Sequence, residues 1–342
     1  MELVLHEVDL PLRHPFGTVH ATVAVQQSLI VELRDGEHRG FGEAAGFTFF
    51  GLSLAEVREP LERARRVIEA DRIDDPADFW DRMSKLLGNS FSLCALDQAA
   101  HDLWGKRLGE PVWRLWGLTA DRLPTSDYSI GIDTVERMIA KMEEFSGWPI
   151  YKIKLGTPDD IEVVRALRRH SDAVFRVDAN TGWTADQAIR NAAQLGPLGV
   201  EFIEQPLPVG RWEDQRRVHR ESELPVIADE SCLTEDDVER CAGAFHGVNI
   251  KLTKCGGLTP ARRMIAKARE CGLTVMAGCM VESTVGISAI AQLLPLLDHV
   301  DLDGALLLDR DVARGVRVEL GRPVLPRENG TGVTWLGDGT PR

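Results

Sequence analysis

The sequence predicts an α/β protein: a modified (β/α)7β TIM-type barrel with an α+β N-terminal capping domain. Short apolar stretches alternate with helix-like stretches between residues 124 and 304, which is typical of a parallel barrel. Five of these stretches carry charged residues at their ends, at intervals of 22 to 26 residues, or about one strand, one helix and two loops. The first 110 residues differ, because strands come first and helices follow.

The first module begins with strand-like stretches at residues 2–10, 22–34 and 38–43. Asp35-Gly36 predicts a tight turn between the last two strands. The helix-like stretches that follow are residues 53–70, 76–88 and 91–107. Ser53 and Glu56 have the spacing of a capping box and therefore mark the start of the first helix.

The second module contains eight strand-like stretches, TSDYSIGI, YKIKLG, FRVDAN, EFIEQP, PVIADE, VNIKL, LTVMAGCM and HVDLDG. Helix-like stretches separate most of them, and strands joined by helical crossovers are parallel. We therefore predict a capping domain of residues 1–115, joined by a C-terminal tail of residues 315–342, and a catalytic barrel of residues 116–314.

Length and composition exclude several classes of protein. A chain of 342 residues can form one barrel and one smaller domain. Its net charge of −13 argues against nucleic acid or an anionic membrane as a partner, because both attract basic surfaces. Six scattered cysteines without a Cys-x-x-Cys pair predict neither a zinc site nor disulfides. The sequence shows no secretory signal or transmembrane stretch, and we expect a cytoplasmic protein.

Three of the charged strand ends are acidic: Asp178, Glu204 and Asp229. The C-terminal ends of barrel strands meet at one mouth, where three close carboxylates would repel each other without a cation. Oxygen ligands without His or Cys suit a hard ion, so we predict one Mg²⁺ per subunit at these residues. The alternative is three separately solvated strand ends, which their matched positions in consecutive units disfavour.

Three lysines accompany the carboxylates. Lys152 and Lys154 alternate along one strand and therefore point to the same side. The like charge of Lys152 favours proton loss from Lys154, which could then act as a general base. Lys251 is expected across the barrel, so that a proton could be removed from one face of a substrate and returned to the other. The alternative is a set of surface lysines beside an edge strand.

The ordered set KxK, DxN, E, D and K resembles the enolase superfamily, and within it the muconate-lactonizing enzyme subgroup. The resemblance covers nearly the whole chain, including ALDQAAHDLWGKRLGEPVWRLWG, which is similar to the family segment between the two domains. It implies that Lys154 and Lys251 are the acid and base, that Lys152 stabilises charge, and that Asn180 supports Asp178. It also implies frequent homo-oligomeric assembly.

Asp301 and Asp303 narrow the choice of reaction. They are alternate residues of the last predicted strand, so both can face the mouth. The pair resembles the DxD motif with which dipeptide epimerases hold the free ammonium group of the substrate. Muconate and succinylbenzoate carry no ammonium. We therefore expect a Mg²⁺-dependent dipeptide epimerase that inverts the α-carbon of the C-terminal residue through an enolate.

Three further residues are expected to line the substrate pocket. Cys279 lies in MAGCMVES, which resembles the family's seventh-strand segment, and no His accompanies it as a catalytic partner. PFGTVHATVAVQQS is similar to a capping-domain loop that carries an arginine in Ala-Glu epimerases. Ala21 stands at that position here, so Ala-Glu specificity is not expected. Phe49 and Phe50 predict an apolar side chain on the substrate, or else they pack the domain junction.

Two other functions stay open. Muconate cycloisomerase, o-succinylbenzoate synthase and N-acylamino acid racemase share the metal site and the lysines. A non-catalytic metal-binding or scaffold protein is disfavoured, because Lys152, Lys154 and Lys251 are all present.

Overall fold

The computed structural model describes residues 1–341. It contains a three-stranded antiparallel sheet covered by helices and an eight-stranded parallel sheet with helical crossovers. The predicted fold class is therefore confirmed. The division into residues 1–115, 116–314 and 315–342 stays a prediction, and Arg342 at the end of the predicted tail lies outside the described residues.

The first module starts with the antiparallel strands β1 (Glu2–Gly17), β2 (Thr22–Asp35) and β3 (His38–Ala45). Its helices are α1 (Leu54–Ala70), α2 (Pro76–Leu87), α3 (Ser90–Leu108) and α4 (Val112–Leu115). The capping box of Ser53 and Glu56 opens α1, as predicted. Strand β1 is longer than predicted because it resumes pairing with β2 at Phe16, after an irregularity that begins at Pro11.

The barrel strands are β4 (Tyr128–Ile130), β5 (Ile150–Lys154), β6 (Val174–Asp178), β7 (Val200–Glu204), β8 (Val226–Ala228), β9 (Gly247–Ile250), β10 (Thr274–Ala277) and β11 (His299–Val300). Between them run the helices α5 (Val135–Glu144), α6 (Asp160–Arg168), α7 (Ala185–Leu195), α8 (Trp212–Glu221), α9 (Glu235–Cys241), α10 (Leu252–Cys255), α11 (Leu258–Glu270) and α12 (Thr284–Ala291). Sequential strands are neighbours throughout the sheet, which fits seven helical crossovers.

The first and last barrel strands are shorter than the sequence pattern predicts. The expectation that Asp301 and Asp303 lie on the last strand is wrong, since β11 ends at Val300. Past that point, Leu302 donates its backbone N–H to the Ser126 side chain rather than to a backbone carbonyl of β4. A single backbone bridge, Ser126 to Val300, links the two edges in the described part of the chain.

The C-terminal tail adds the strands β12 (Arg310–Arg314), β13 (Arg317–Glu319), β14 (Arg322–Val324) and β15 (Thr334–Pro341). Strands β12 and β15 pair with each other, as do β13 and β14. Thr331 donates its backbone N–H to Asp102 of α3, so the tail returns to the first module. Within residues 1–341, no helix has the length and apolar character needed to cross a membrane.

Two buried acids of the first module cap helices of the barrel. Asp97 of α3 accepts hydrogen bonds from the Thr259 backbone and hydroxyl, each 2.8 Å long, in the first turn of α11. Glu43 of β3 accepts from the backbone N–H groups of Ser283 and Gly286 in the first turn of α12. Carboxylates satisfy otherwise unpaired N–H groups at helix starts and interact favourably with the helix dipole. These contacts fix the module against the loops that carry Lys251 and Cys279.

We expect Asp97→Ala to lower the free energy of unfolding by about 2–3 kcal/mol, because it leaves the buried Thr259 N–H and hydroxyl without their acceptor. Asp75→Ala is the matched control, since Asp75 caps α2 from an exposed position within the first module. It should cost about 1 kcal/mol. Urea unfolding measures both variants, and equal losses would contradict a special docking role for Asp97.

Candidate active site

Charged side chains meet at the C-terminal mouth of the barrel. Lys154, Asp178 and Glu204 are the last residues of β5, β6 and β7, whereas Asp229 and Lys251 directly follow β8 and β9. Asp178, Glu204 and Asp229 each offer an oxygen within 4.8 Å of the others, and all three are buried. The regular chain spacing therefore corresponds to one compact cluster.

The burial of these carboxylates makes cations necessary. Burial raises the pKa of Glu204 above its usual value, although the charge of Lys152 opposes the shift. Burial alone would also raise the pKa of Asp178, but Lys154 and Lys152 bring it below the ordinary range. The pKa of Asp229 lies further below its usual value, because Lys251 and Lys254 outweigh the effect of burial. The pKa of each acid is therefore set by how much positive charge lies around it to oppose the effect of burial.

The three carboxylates fit a Mg²⁺ ion. Mg²⁺ prefers oxygen ligands at roughly 2.1 Å, which places the ligand oxygens of one ion roughly 3–4 Å apart. The 4.8 Å span of the cluster is compatible with that spacing. No His or Cys belongs to this cluster, as expected for a hard cation.

The lysines lie on two sides of the cluster. Lys154 donates to Asp178 over 2.6 Å, and Lys251 donates to Asp229 over 2.8 Å. Three strands separate β5 from β9 in either direction around the eight-stranded barrel, so Lys154 and Lys251 face each other across the mouth. This is the arrangement that the sequence analysis expected.

Lys152 is almost completely buried and joins two groups of acids. Its Nζ lies 2.9 Å from Glu204, 3.0 Å from Asp301 and 3.6 Å from Asp178. These charges raise its pKa well above the usual value despite burial. Lys152 is therefore a positive charge balanced by the acids around it, and the general-base role of Lys154 stays a prediction.

Asp301 and Asp303 form a second acidic site beside the first. Asp301 accepts from Lys152 through Oδ2, and Asp303 accepts from the Ser129 backbone N–H through Oδ2. The Oδ1 atoms of both residues face the Cys279 thiol, at 3.6 and 3.8 Å. Burial and the charge of Asp301 raise the pKa of Asp303 well above its usual value, whereas Lys152 lowers that of Asp301 against the effect of burial. Asp303 therefore holds a proton more readily than Asp301 does.

A cavity of about 270 Å³ connects these groups and extends under the first module. Lys154, Lys251, Asp229, Cys279, Asp301 and Asp303 line its barrel side. Phe16, Ala21, Val23, Phe49, Phe50, Met280, Val281 and Leu307 provide a mainly apolar wall. Every residue that was expected to bind the substrate therefore borders one cavity.

The two phenylalanines have different surroundings. Phe49 is 41% exposed, and its ring stands edge-on to His20, 5.7 Å between centroids. Phe50 packs against Phe91 of α3, with ring centroids 5.4 Å apart. Phe50 therefore lines the cavity and also packs the first module, whereas Phe49 is free to meet a ligand.

Asn180 and two residues that the sequence analysis missed support the metal cluster. The Asn180 backbone N–H donates to Asp178 over 2.9 Å. Asn249 donates to Glu204 over 2.8 Å, and the buried Lys254 contacts both the carboxylate and the carbonyl of Asp229. The second lysine in KLTK was the signal for Lys254, since it lies three residues after Lys251. Asn249 gave no such signal.

Glu230 was also missed. It borders the cavity next to Asp229 and accepts a 3.3 Å hydrogen bond from the Asn180 side chain. Burial, together with the charges of Asp229 and Asp178, raises the pKa of Glu230 to about 8. Glu230 therefore holds a proton more readily than an ordinary carboxyl group.

Comparison with known proteins accounts for both modules. Residues 1–117 match the mandelate racemase/muconate lactonizing enzyme N-terminal domain, and residues 134–338 match the enolase C-terminal domain-like family. The chain belongs to the enolase superfamily. The motif resemblance that the sequence showed is thereby confirmed.

Individual relatives cover the full length of this enolase-superfamily chain. An L-Ala-D/L-amino acid epimerase of Flavobacterium johnsoniae is 50% identical over 98% of this chain and 100% of its own length. The structure of a dipeptide epimerase from Cytophaga hutchinsonii, complexed with Mg and D-Ala-L-Val, has a TM-score of 0.92 and 26% identity, covering 98% of this chain and 96% of its own. A Pseudomonas fluorescens muconate lactonizing enzyme complexed with muconolactone has a TM-score of 0.91, also with 26% identity and the same coverage. The backbone fold is therefore common to both reactions.

We expect Lys254→Met to destabilise the metal-free protein by about 3 kcal/mol at neutral pH, because it removes one counter-ion of the buried Asp229. The folded-state pKa of Asp229 lies below the unfolded value, so this contribution is present above about pH 5 and shrinks as the pH falls below about 4. Urea unfolding in chelator across this range tests the prediction.

Lys267→Met is the control, since Lys267 pairs with Glu239 at the surface, over 3.2 Å. It should change stability by less than about 1 kcal/mol. A loss for Lys254→Met that stayed constant down to pH 3 would contradict the assignment to Asp229.

Proposed function

We propose that this chain is a Mg²⁺-dependent dipeptide epimerase that inverts the α-carbon of the C-terminal residue. One observation carries the proposal: two opposed lysines, a separate acidic pair and Asp229, one member of the carboxylate triad, border the same cavity. The relatives that are named as epimerases of dipeptides or of L-Ala-D/L-amino acids support the same reaction.

Asp178, Glu204 and Asp229 would hold the Mg²⁺ ion, which supplies positive charge to the substrate's C-terminal carboxylate. Lys152 adds a second positive charge from below, since it lies against Glu204 and Asp178. Stabilisation of the negative charge that develops on the carboxylate is what makes an α-proton removable near neutral pH.

Lys154 and Lys251 would move the proton. The α-carbon would lie between them, so that one lysine, as the neutral amine, takes the proton on its Nζ as the C–H bond breaks and the electron pair moves towards the carboxylate. The Nζ of the other lysine then donates a proton to the opposite face. The α-carbon is inverted, and each lysine exchanges its role in the reverse direction.

Asp301 and Asp303 would bind the ammonium group at the other end of the dipeptide. Their Oδ1 atoms face the same side, and a bound ammonium favours ionisation of both acids. Phe49, Phe50, Met280 and the other apolar residues of the cavity wall suit an apolar side chain on the epimerised residue. Ala21 offers no charge to a glutamate side chain, so Ala-Glu is not the expected substrate.

The second candidate function is another reaction of the muconate-lactonizing subgroup: cycloisomerisation, o-succinylbenzoate synthesis or N-acylamino acid racemisation. The shared backbone favours it as much as epimerisation. The acidic pair disfavours it, because none of these substrates carries the ammonium group that the pair would bind, and Asp301 would repel the second carboxylate of a dianionic substrate.

The proposal also covers the cellular location, the assembly and the domain division of the enzyme. We propose a cytoplasmic location, which the six free cysteines support, since thiols persist in a reducing compartment. We also propose homo-oligomeric assembly, since proteins of this family frequently assemble in this way. The proposed two-domain division places the substrate cavity at the boundary between residues 1–115 and 116–314.

We expect wild-type protein with Mg²⁺ in D₂O to incorporate deuterium at the α-carbon of an L,L-dipeptide with an apolar C-terminal residue. Lys154→Ala and Lys251→Ala should each lower kcat for epimerisation roughly 10²–10⁴-fold, because each removes one of the two proton carriers. Mass spectrometry and chiral chromatography measure exchange and inversion. No uptake with any member of a broad dipeptide library would rule out the proposed function.

We expect Mg²⁺ to raise the melting temperature of the wild type, because it binds the folded carboxylate triad and not the unfolded chain. Glu204→Gln should abolish most of this shift, as well as the activity. Differential scanning calorimetry with and without chelator tests both. The control is Glu201→Gln in the same strand, whose carboxylate contacts Arg176 rather than the triad, and which should retain the shift.

We expect Asp301→Asn with Asp303→Asn to raise KM for a dipeptide at least about 10-fold, because the ammonium loses its counter-charge. Binding of a ligand with a second carboxylate in place of the ammonium should become no weaker. Steady-state kinetics and inhibition constants measure the two effects. A double variant with an unchanged dipeptide KM would favour the second candidate function.

A further inference from the structure

The edges of the barrel are joined more weakly than its other strands. Strands β5 and β6 share five paired positions, whereas Ser126 to Val300 is the one backbone bridge across the closing edge in residues 1–341. The Ser126 hydroxyl accepts from Leu302, and Ser129 donates to Asp303, on the same edge. Asp301 and Asp303 directly follow this closure point, so their positions depend on how it is held.

Arg176 reaches this closure point from inside the barrel. It belongs to β6, two strands away from β4, and its side chain is only 3% exposed. Its Nη1 donates to Asp127 over 2.9 Å and to the Val300 carbonyl over 3.2 Å. Asp127 lies beside Ser126 on the first edge, and Val300 lies on the last. One guanidinium group therefore holds both edges.

The other two nitrogens of Arg176 fix the orientation of its guanidinium group. Nε donates to Glu201 of β7 over 2.8 Å, and Nη2 lies 3.0 Å from His299 Nδ1 in β11. A guanidinium group has a planar, rigid set of donors, so four contacts of this kind leave it a single orientation. A shift of Arg176 would thus move Val300, the residue that precedes Asp301.

The contact with Arg176 favours the charged form of the Asp127 carboxyl group. Its Oδ1 is buried and has no hydrogen-bond partner among residues 1–341. Burial and the nearby Asp301 raise the pKa of Asp127 to about 7, while Arg176 and Lys152 oppose the rise. Without Arg176, Asp127 would take up a proton instead of remaining as a buried charge, which makes folding of an Arg176 variant feasible.

We propose that Arg176 is a positioning residue for the ammonium site, acting through Val300 and Asp127 to set the place of Asp301 and Asp303. This inference rests on the proposed function. Arg176 touches neither the cavity nor the metal cluster. Its effect is therefore expected on recognition of the substrate's amino end and not on proton transfer.

The test separates the two ends of the substrate with L-Ala-L-Val and propionyl-L-valine, which differ only in the ammonium group. The KM and kcat for L-Ala-L-Val report on the whole substrate. The inhibition constant of propionyl-L-valine reports on the carboxylate and side-chain contacts alone. The concentration of Mg²⁺ for half-maximal activity reports on the metal cluster.

We expect Arg176→Met to raise KM for L-Ala-L-Val about 10-fold, with kcat, the propionyl-L-valine inhibition constant and the Mg²⁺ requirement each within about threefold of wild type. Asp127→Asn should also raise the KM for L-Ala-L-Val. It is a smaller structural change and therefore tests the inference if Arg176→Met fails to fold. Arg168→Met is the control, since Arg168 donates to the carbonyls of Leu198, Ser171 and Ala173 outside the barrel interior.

The inference is overturned if the KM for L-Ala-L-Val and the inhibition constant of propionyl-L-valine rise together. It is also overturned if only kcat or the Mg²⁺ requirement changes, or if Arg168→Met gives the same pattern as Arg176→Met. Each of these outcomes would mean that Arg176 does not act specifically on the ammonium site. Absence of α-proton exchange by the wild type with every dipeptide is a different result, because it overturns the proposed function and this inference with it.

Discussion

Three buried carboxylates at one mouth cannot remain ionised without positive charge around them, and the rest of the site follows from this constraint. Asp178 and Asp229 receive that charge from Lys154 and Lys251, and Glu204 receives it from Lys152. The same cations are the groups proposed to transfer the proton. The proposed metal binding, proton transfer and charge stabilisation thus depend on one balance of buried charges rather than on separate features.

The first module contributes position more than chemistry. Asp97 and Glu43 satisfy the starts of α11 and α12, which follow the loops carrying Lys251 and Cys279. Between these contacts, Phe49, Phe50 and Ala21 close the cavity from above. In the proposed function, a substrate side chain is therefore selected by the module that takes no part in the proton steps, which would let one barrel be combined with different specificities.

The backbone alone does not identify the reaction. This chain is as similar in fold to a muconate lactonizing enzyme as to a dipeptide epimerase, with TM-scores of 0.91 and 0.92. The feature on which the proposed reaction depends is a local one, an acidic pair beside the last strand that borders the cavity. Such a pair attracts an ammonium group and repels a carboxylate, so the proposed choice of substrate is electrostatic.

The sequence by itself determined the fold class and which three carboxylates gather at the mouth of the barrel, because both depend on local regularities. Strand ends recur at regular intervals, and the strand ends that carry Asp178, Glu204 and Asp229 must meet once the barrel closes. It also placed Lys154 and Lys251 on opposite sides, since strand order fixes their separation. Only the tertiary structure decided where β11 ends, that Lys254 and Asn249 contact Asp229 and Glu204, and that Arg176 crosses the barrel to Val300. These contacts join residues that are distant in the chain, and they depend on side-chain direction and barrel closure, which leave no periodic trace in the sequence.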